Sequence, residues 1–320
     1  MVFSAPFNTS TYTFVPVAER IIAMSTNQEI PREAIHAFNL YIHGEINRRT
    51  FLDRVKKVAV TTVAAAAIVE QLDPNYAAAQ QVKPDDTRLK TSRETVASPN
   101  GNGKITGYLV RPASAGTNRL PAVLVVHENR GLNPHIEDVT RRFALEGFMA
   151  FAPDGLTSVG GYPGDDDQGG KLFSSVDRAK MQEDMHAAAV WLKNRPDSTG
   201  RLGATGFCYG GGVANQLAVR MGADIQAIAP FYGQAAAAAD VPKIKAAVLV
   251  LHGETDTRLV QAWPAYQEAL KAAGVTHEGH IYPGAGHGFN NDASAARYNK
   301  AAADAAWKRT IEWFNMYLKK

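Results

Sequence analysis

Residues 204–212 read ATGFCYGGG and hold Cys208, the only cysteine of the chain. Upstream, RLGATGF has the composition of a short buried strand; downstream, YGGGVANQLAVRM repeats its apolar positions at helical spacing. Cys208 therefore falls at a strand-to-helix turn, bracketed by Gly206, Gly210 and Gly211 as G-x-C-x-G-G. This is the pattern of a nucleophile elbow with sulfur in place of the usual serine oxygen. A nucleophile in so tight a turn needs neighbours without side chains, and the turn points its thiol into the open. The following helix N-terminus favours the thiolate over a thiol with its free pKa of about 8.5. A cysteine used only as a small core residue requires none of these features.

Two further residues fall where strands end. After the strand AAVLVLHG comes ETDTRL with Asp256, and after HIYPGAG comes His287. The order nucleophile, acid, histidine is that of α/β-hydrolases, not that of chymotrypsin or subtilisin. In such a trio His287 accepts the thiol proton and later protonates the leaving group, while Asp256 fixes the imidazole tautomer and stabilises the imidazolium. The oxyanion hole of this architecture uses the N–H after the nucleophile and one from the loop after an early strand. Here those are Tyr209 and, after LPAVLVVHE, Asn129. Glu128 stands at the same strand end; a carboxylate beside a thiol disfavours thiolate, so Glu128 is expected to hold Cys208 protonated until substrate arrives.

Positioning these residues requires a scaffold, and the sequence supplies one. Strand-like and helix-like segments alternate from about residue 92 to the C-terminus, with PHIEDVTRRFALEG opened by Pro134 and MQEDMHAAAVWLKNR as clear helices. Repeated β-α units predict a mostly parallel sheet flanked by helices on both faces, the α/β-hydrolase architecture. TVASPNGNGKITGYLVRP before them reads as a hairpin with an Asn-Gly turn. At 320 residues, 45% hydrophobic and 20% charged, the chain has room for one large α/β domain, residues 85–320, with an N-terminal helical extension, residues 1–84. The net charge of +3 is spread among scattered residues, which argues against nucleic-acid binding. One cysteine excludes an internal disulfide and any multi-cysteine metal site.

HENRGLN, GFCYGG, the aspartate of GETDTR and the histidine of PGAGHGFNN together resemble the dienelactone hydrolase family, over residues 85–320. The resemblance implies a Cys-His-Asp triad, no cofactor, and opening of enol lactones or hydrolysis of related esters through a thioester acyl-enzyme. The sequence departs from the best-known members where they carry arginines that bind the substrate carboxylate. Asn290, Asn291 and Asp292 follow His287, with no arginine before Arg297, and the lid-like loop VGGYPGDDDQGGKLF has none. If residues 290–292 line the mouth of the site, neutral esters or lactones are expected to be preferred. Arg130, Arg258 and Tyr162 are the remaining candidates for substrate contact. The run Asp165 to Asp167 lacks the alternating spacing of a calcium loop, so no metal site is expected. The competing reading is a non-catalytic or redox-sensing α/β protein, which needs neither His287 nor Asp256.

Residues 48–79 raise a separate question. Arg48 and Arg49, then Phe51 and Leu52, an apolar run too short to span a bilayer, and Ala77 to Ala79 resemble a twin-arginine export signal with its cleavage site. Some forty-seven residues precede the pair, a long lead that a start at Met24 would shorten. The other reading is an amphipathic helix packed on the hydrolase domain, or on a second subunit in a homodimer. The sequence favours the export signal, and with it a periplasmic over a cytoplasmic location.

Overall fold

The computed structural model describes residues 30–42, 44–59 and 61–319; Met24 lies outside them. Eight strands form one sheet in the order β1-β2-β4-β3-β5-β6-β7-β8. β1 (Leu89–Ser98) and β2 (Gly103–Pro112) make the expected hairpin, and β2 pairs antiparallel with β4 (Met149–Pro153). The remaining strands, β3 (Leu120–Val126), β5 (Ser198–Phe207), β6 (Ala227–Phe231), β7 (Ala247–Gly253) and β8 (His277–Tyr282), run parallel with β4 and with one another. Every residue of β4, β6 and β7 is buried, as continuous apolar strands covered on both faces must be.

Helices lie over both faces and divide the core in two. On one side, α7 (Arg178–Lys193), α8 (Tyr209–Met221) and α9 (Thr257–Ala272) contribute Met181, Met185, Leu217 and Trp263. On the other, α5 (Pro134–Leu145) and α10 (Lys300–Leu318) contribute Val139, Phe143, Trp313 and Phe314. Asn133 caps α5 by accepting from the Ile136 N–H, and Pro134 occupies the first turn, where its missing donor costs nothing. The stretch expected to be a lid-like loop contains a helix, α6 (Asp166–Ser175), capped by the Asp165 carboxylate on the Gln168 N–H.

The N-terminal extension is also helical. α1 (Arg32–Ile42), α2 (Arg48–Val58) and α3 (Thr62–Leu72) enclose a core of their own that includes Phe38, Phe51, Val55, Ile68 and Leu72. The short α4 (Tyr76–Ala79) leads into the sheet domain. The paired arginines therefore open a folded helix whose Asn47 cap accepts from the Thr50 N–H. Among the described residues no helix is long and apolar enough to cross a membrane.

Candidate active site

Cys208 is the single residue between β5 and α8, at φ 54° and ψ −110°. A non-glycine residue in that region is strained, and it is held there by its N–H donating to the Phe231 carbonyl at 3.1 Å and its carbonyl accepting from Gly212 N–H at 3.2 Å. The glycines answer a steric demand. A Cβ on Gly206 would lie 2.2 Å from the Gly210 oxygen, and one on Gly210 would lie 2.2 Å from the Val126 oxygen. The elbow is thus wedged against the end of β3.

The ends of β7 and β8 deliver the other two groups. Asp256 is the N-cap residue of α9, yet its carboxylate caps no backbone N–H; Oδ2 instead meets His287 Nδ1 at 2.6 Å. His287 also hydrogen-bonds to the Cys208 side chain. With Nδ1 taken by Asp256, Nε2 is left to face the sulfur. Burial opposes charging the imidazole, but the sulfur and the carboxylate on its two sides hold its pKa up to about 10. Burial likewise opposes the Asp256 charge, and the bond to His287 nonetheless keeps that carboxyl below its ordinary range.

Asn129 and Tyr209 border the same cavity as Cys208. Among the described residues no acceptor engages either backbone N–H. A buried histidine, which sequence reasoning missed, sets the first of these. His127 Nε2 accepts from the Gly155 N–H at 2.9 Å, so Nδ1 carries the proton and donates to the Glu128 carbonyl. Burial keeps this imidazole neutral by lowering its pKa. Because the C=O and N–H of one trans peptide point in opposite directions, fixing the Glu128 oxygen fixes where the Asn129 N–H aims.

Glu128 shares a cleft of about 30 Å³ with Cys208 and His287. Its Oε2 accepts from Asn291 Nδ2 at 3.0 Å, and its Oε1 lies 3.5 Å from the Tyr232 hydroxyl. Burial would raise its pKa, but Arg297, His135, His287 and the Asn291 bond lower it below the ordinary range, so it is an anion at neutral pH. Tyr232 is a second residue that sequence reasoning missed. It sits at φ 36°, donates its N–H to the Leu251 carbonyl, and packs its ring 4.9 Å from that of His287. The only local signal was an aromatic residue directly after a buried strand.

The elbow opens into a cavity of about 1130 Å³ bordered by Arg130, Arg178 and Arg258, with Phe173, Val213 and Leu259 as apolar wall. Two sequence expectations are corrected here. Tyr162 does not border the cavity: its N–H donates to Asp154 and its hydroxyl to Asp166 Oδ1 at 2.9 Å, which makes it a strut of the α6 region. Residues 290–292 do not form the mouth either. Asn291 is turned inward to Glu128, and Asp292 accepts from His135 at 2.9 Å and Arg142 at 2.6 Å. The buried polar partners that α5 and β3 offer draw this loop into the protein.

Residues 105–318 match the dienelactone hydrolase family. The chain belongs to that family. A Synechocystis protein named "Putative carboxymethylenebutenolidase" is 34% identical over 72% of this chain and 98% of its own length. "Putative hydrolase fragment YghX" of Escherichia coli is 55% identical over 36% of this chain and 97% of its own length. Among solved structures, a Klebsiella pneumoniae protein named "Putative Dienelactone Hydrolase" superposes with a TM-score of 0.61 at 29% identity, covering 71% of this chain and all of that one. The family match begins at residue 105, so α1 to α4 lie outside it.

Proposed function

We propose that this dienelactone hydrolase family member cleaves carboxylic esters or lactones with Cys208 as nucleophile, His287 as acid and base, and Asp256 as the group that orients His287. The observation that carries this reading is one imidazole hydrogen-bonded to a lone cysteine on one side and to a buried carboxylate on the other. The raised His287 pKa favours an imidazolium beside a thiolate before substrate binds.

The thiolate attacks the carbonyl carbon, forming a C–S bond as the π pair moves to oxygen. The N–H groups of Asn129 and Tyr209 receive that oxyanion, with the Asn129 donor aimed by His127 through the Glu128–Asn129 peptide. Collapse breaks the C–O bond, and His287 gives its proton to the departing alkoxide; in a lactone this becomes the hydroxyl arm of the same molecule. In the thioester the sulfur carries no charge, so its share in raising His287 is lost, and the ring in its neutral form serves as base for the attacking water. The second collapse breaks the C–S bond and releases the acid, leaving the thiolate beside the imidazolium that holds the proton taken from water. The anionic Glu128 opposes the thiolate charge that His287 stabilises.

The substrate expectation changes with the placement of residues 290–292. Neutral selection rested on their standing at the mouth. Arg130, Arg178 and Arg258 border the cavity instead, beside Glu45 and the Asp167 that Arg48 engages, so a carboxylate-bearing lactone has cations to meet. Dienelactone is therefore expected to match or exceed a neutral ester of similar size in kcat/KM. Hydrolysis of p-nitrophenyl acetate tests the mechanism. Cys208→Ala should abolish it with the fold intact, and His287→Ala should cost roughly three orders of magnitude or more. Full activity in the Cys208→Ala protein would sink the reading.

A further inference from the structure

We propose that the N-terminal helices α1 to α3 are a resident cap that builds one wall of the substrate cavity and selects substrates by the size of the group it faces. The proposal rests on the hydrolase reading for what the cavity holds, and on the docked geometry for the wall itself.

The cap has its own core, and polar bonds fasten it at several points around the cavity. The Tyr41 hydroxyl and the Arg48 guanidinium both engage Asp167. The Tyr76 hydroxyl donates to Asp166 Oδ2 at 2.7 Å and accepts from Asn133 Nδ2 at 2.8 Å. The Asn75 N–H donates to the Ala293 carbonyl at 2.7 Å. The acidic run of α6 is thus accounted for as an anchor: Asp165 caps the helix, while Asp166 and Asp167 hold the extension. Burial raises the Asp166 pKa, so its hydroxyl partners are what keep this carboxyl solvated inside the protein.

Anchoring alone would describe any packed appendage. The wall is the distinguishing feature. Ile42, Ile46 and Arg48 border the 1130 Å³ cavity together with Cys208 and Leu259. The carbonyl of Ile42 accepts from the Asn129 side chain, so the last turn of α1 touches the residue next to the reacting thiol. Phe38 and Tyr41 close the inner cleft that contains Cys208, His287 and Glu128, and the Arg297 guanidinium lies 5.6 Å over the Phe38 ring. Among the described residues, Tyr41, Ile42 and residues 44–48 are the part of the extension that borders this cavity. An acyl group of two carbons cannot reach across a cavity of that volume, whereas a longer apolar chain meets Ile46.

The test uses the full chain with Ile46→Trp, which fills the wall, and Ile46→Ala, which recedes it. The ratio of kcat/KM for p-nitrophenyl octanoate to that for p-nitrophenyl acetate should fall about tenfold in the first variant and rise in the second. A turnover-independent readout accompanies it. Cys208 is the only thiol, so its alkylation by N-(1-pyrenyl)maleimide relative to iodoacetamide reports access past the wall; this ratio should shift in the same directions. If wild-type protein turns over neither ester, the hydrolase reading fails while alkylation still decides the cap. Ratios unchanged within twofold in both variants would overturn the cap and leave the mechanism standing.

Discussion

His287 carries the sharpest pH consequence at the scale of single residues. Its pKa is raised to about 10, against an ordinary imidazole value near 6.5, so it keeps its proton well into the alkaline range. Hydrolysis of an alkyl ester, whose leaving group needs that proton, should hold its kcat/KM through pH 8 and fall through about pH 10. A p-nitrophenyl ester, with a leaving group stable as an anion, should lose less. An alkaline limb near 6.5 for the alkyl ester would mean that the neutral ring is the resting form. His127 makes a second prediction. His127→Phe leaves the Glu128 carbonyl and the Gly155 N–H without their buried partner, so the Asn129 N–H loses its aim. The expected loss is about a hundredfold in kcat with KM little changed, the size of one missing oxyanion donor. His127→Gln keeps one donor and one acceptor and should recover part of it. Cys208, Asp256 and His287 were legible because each sits at a strand end in a known order with a glycine signature. His127 and Tyr232 were not, since their placement depends on bonds to Gly155 and Leu251 that lie far along the chain.

Among the elements, α6 shows why a helix can be hidden in plain sequence. DDDQGGKLF reads as a loop because two adjacent glycines weaken a helix, each by roughly 1 kcal/mol relative to alanine. The structure gives both a reason to be small. A Cβ on Gly169 would lie 2.5 Å from the Arg130 carbonyl oxygen, and one on Gly170 would meet the Arg130 guanidinium. Propensity alone expects Gly169→Ala to stabilise the protein. The close approach to fixed backbone reverses the sign, and thermal or urea unfolding should show a loss of about 1 to 3 kcal/mol. Similar ambiguity affected α2 and α3, whose apolar alanine run has the composition of a signal segment. The carboxylate that Arg48 of α2 docks against, Asp167, lies far downstream in α6.

The whole molecule was legible as alternating strands and helices, which fixed the sheet class and placed the site at the carboxyl ends of the strands. Strand order was less accessible, because nothing local to β2 says that it inserts between β1 and β4. Charge also acts at this scale through Asp292, which ties the loop after His287 to α5. Burial opposes its ionisation, yet His135 and Arg142 lower its pKa to about 2 from the ordinary 3.8. A depressed carboxyl adds stability that is present above its unfolded pKa and lost as the pH falls through the folded one. The melting temperature of Asp292→Asn should therefore lie below that of wild type at pH 6, and the gap should close as the pH approaches 2.

The bond between Tyr41 and Asp167 spans 126 positions, and in a chain made from its N-terminus that separation is also a delay. At about 5 to 20 residues per second, roughly 6 to 25 s pass between synthesis of the tyrosine and arrival of its partner. Throughout that interval Arg48 and Arg49 are on display with no carboxylate from α6 to hold them. Only once α6 has been made can Arg48 be committed to Asp167 beside the cavity.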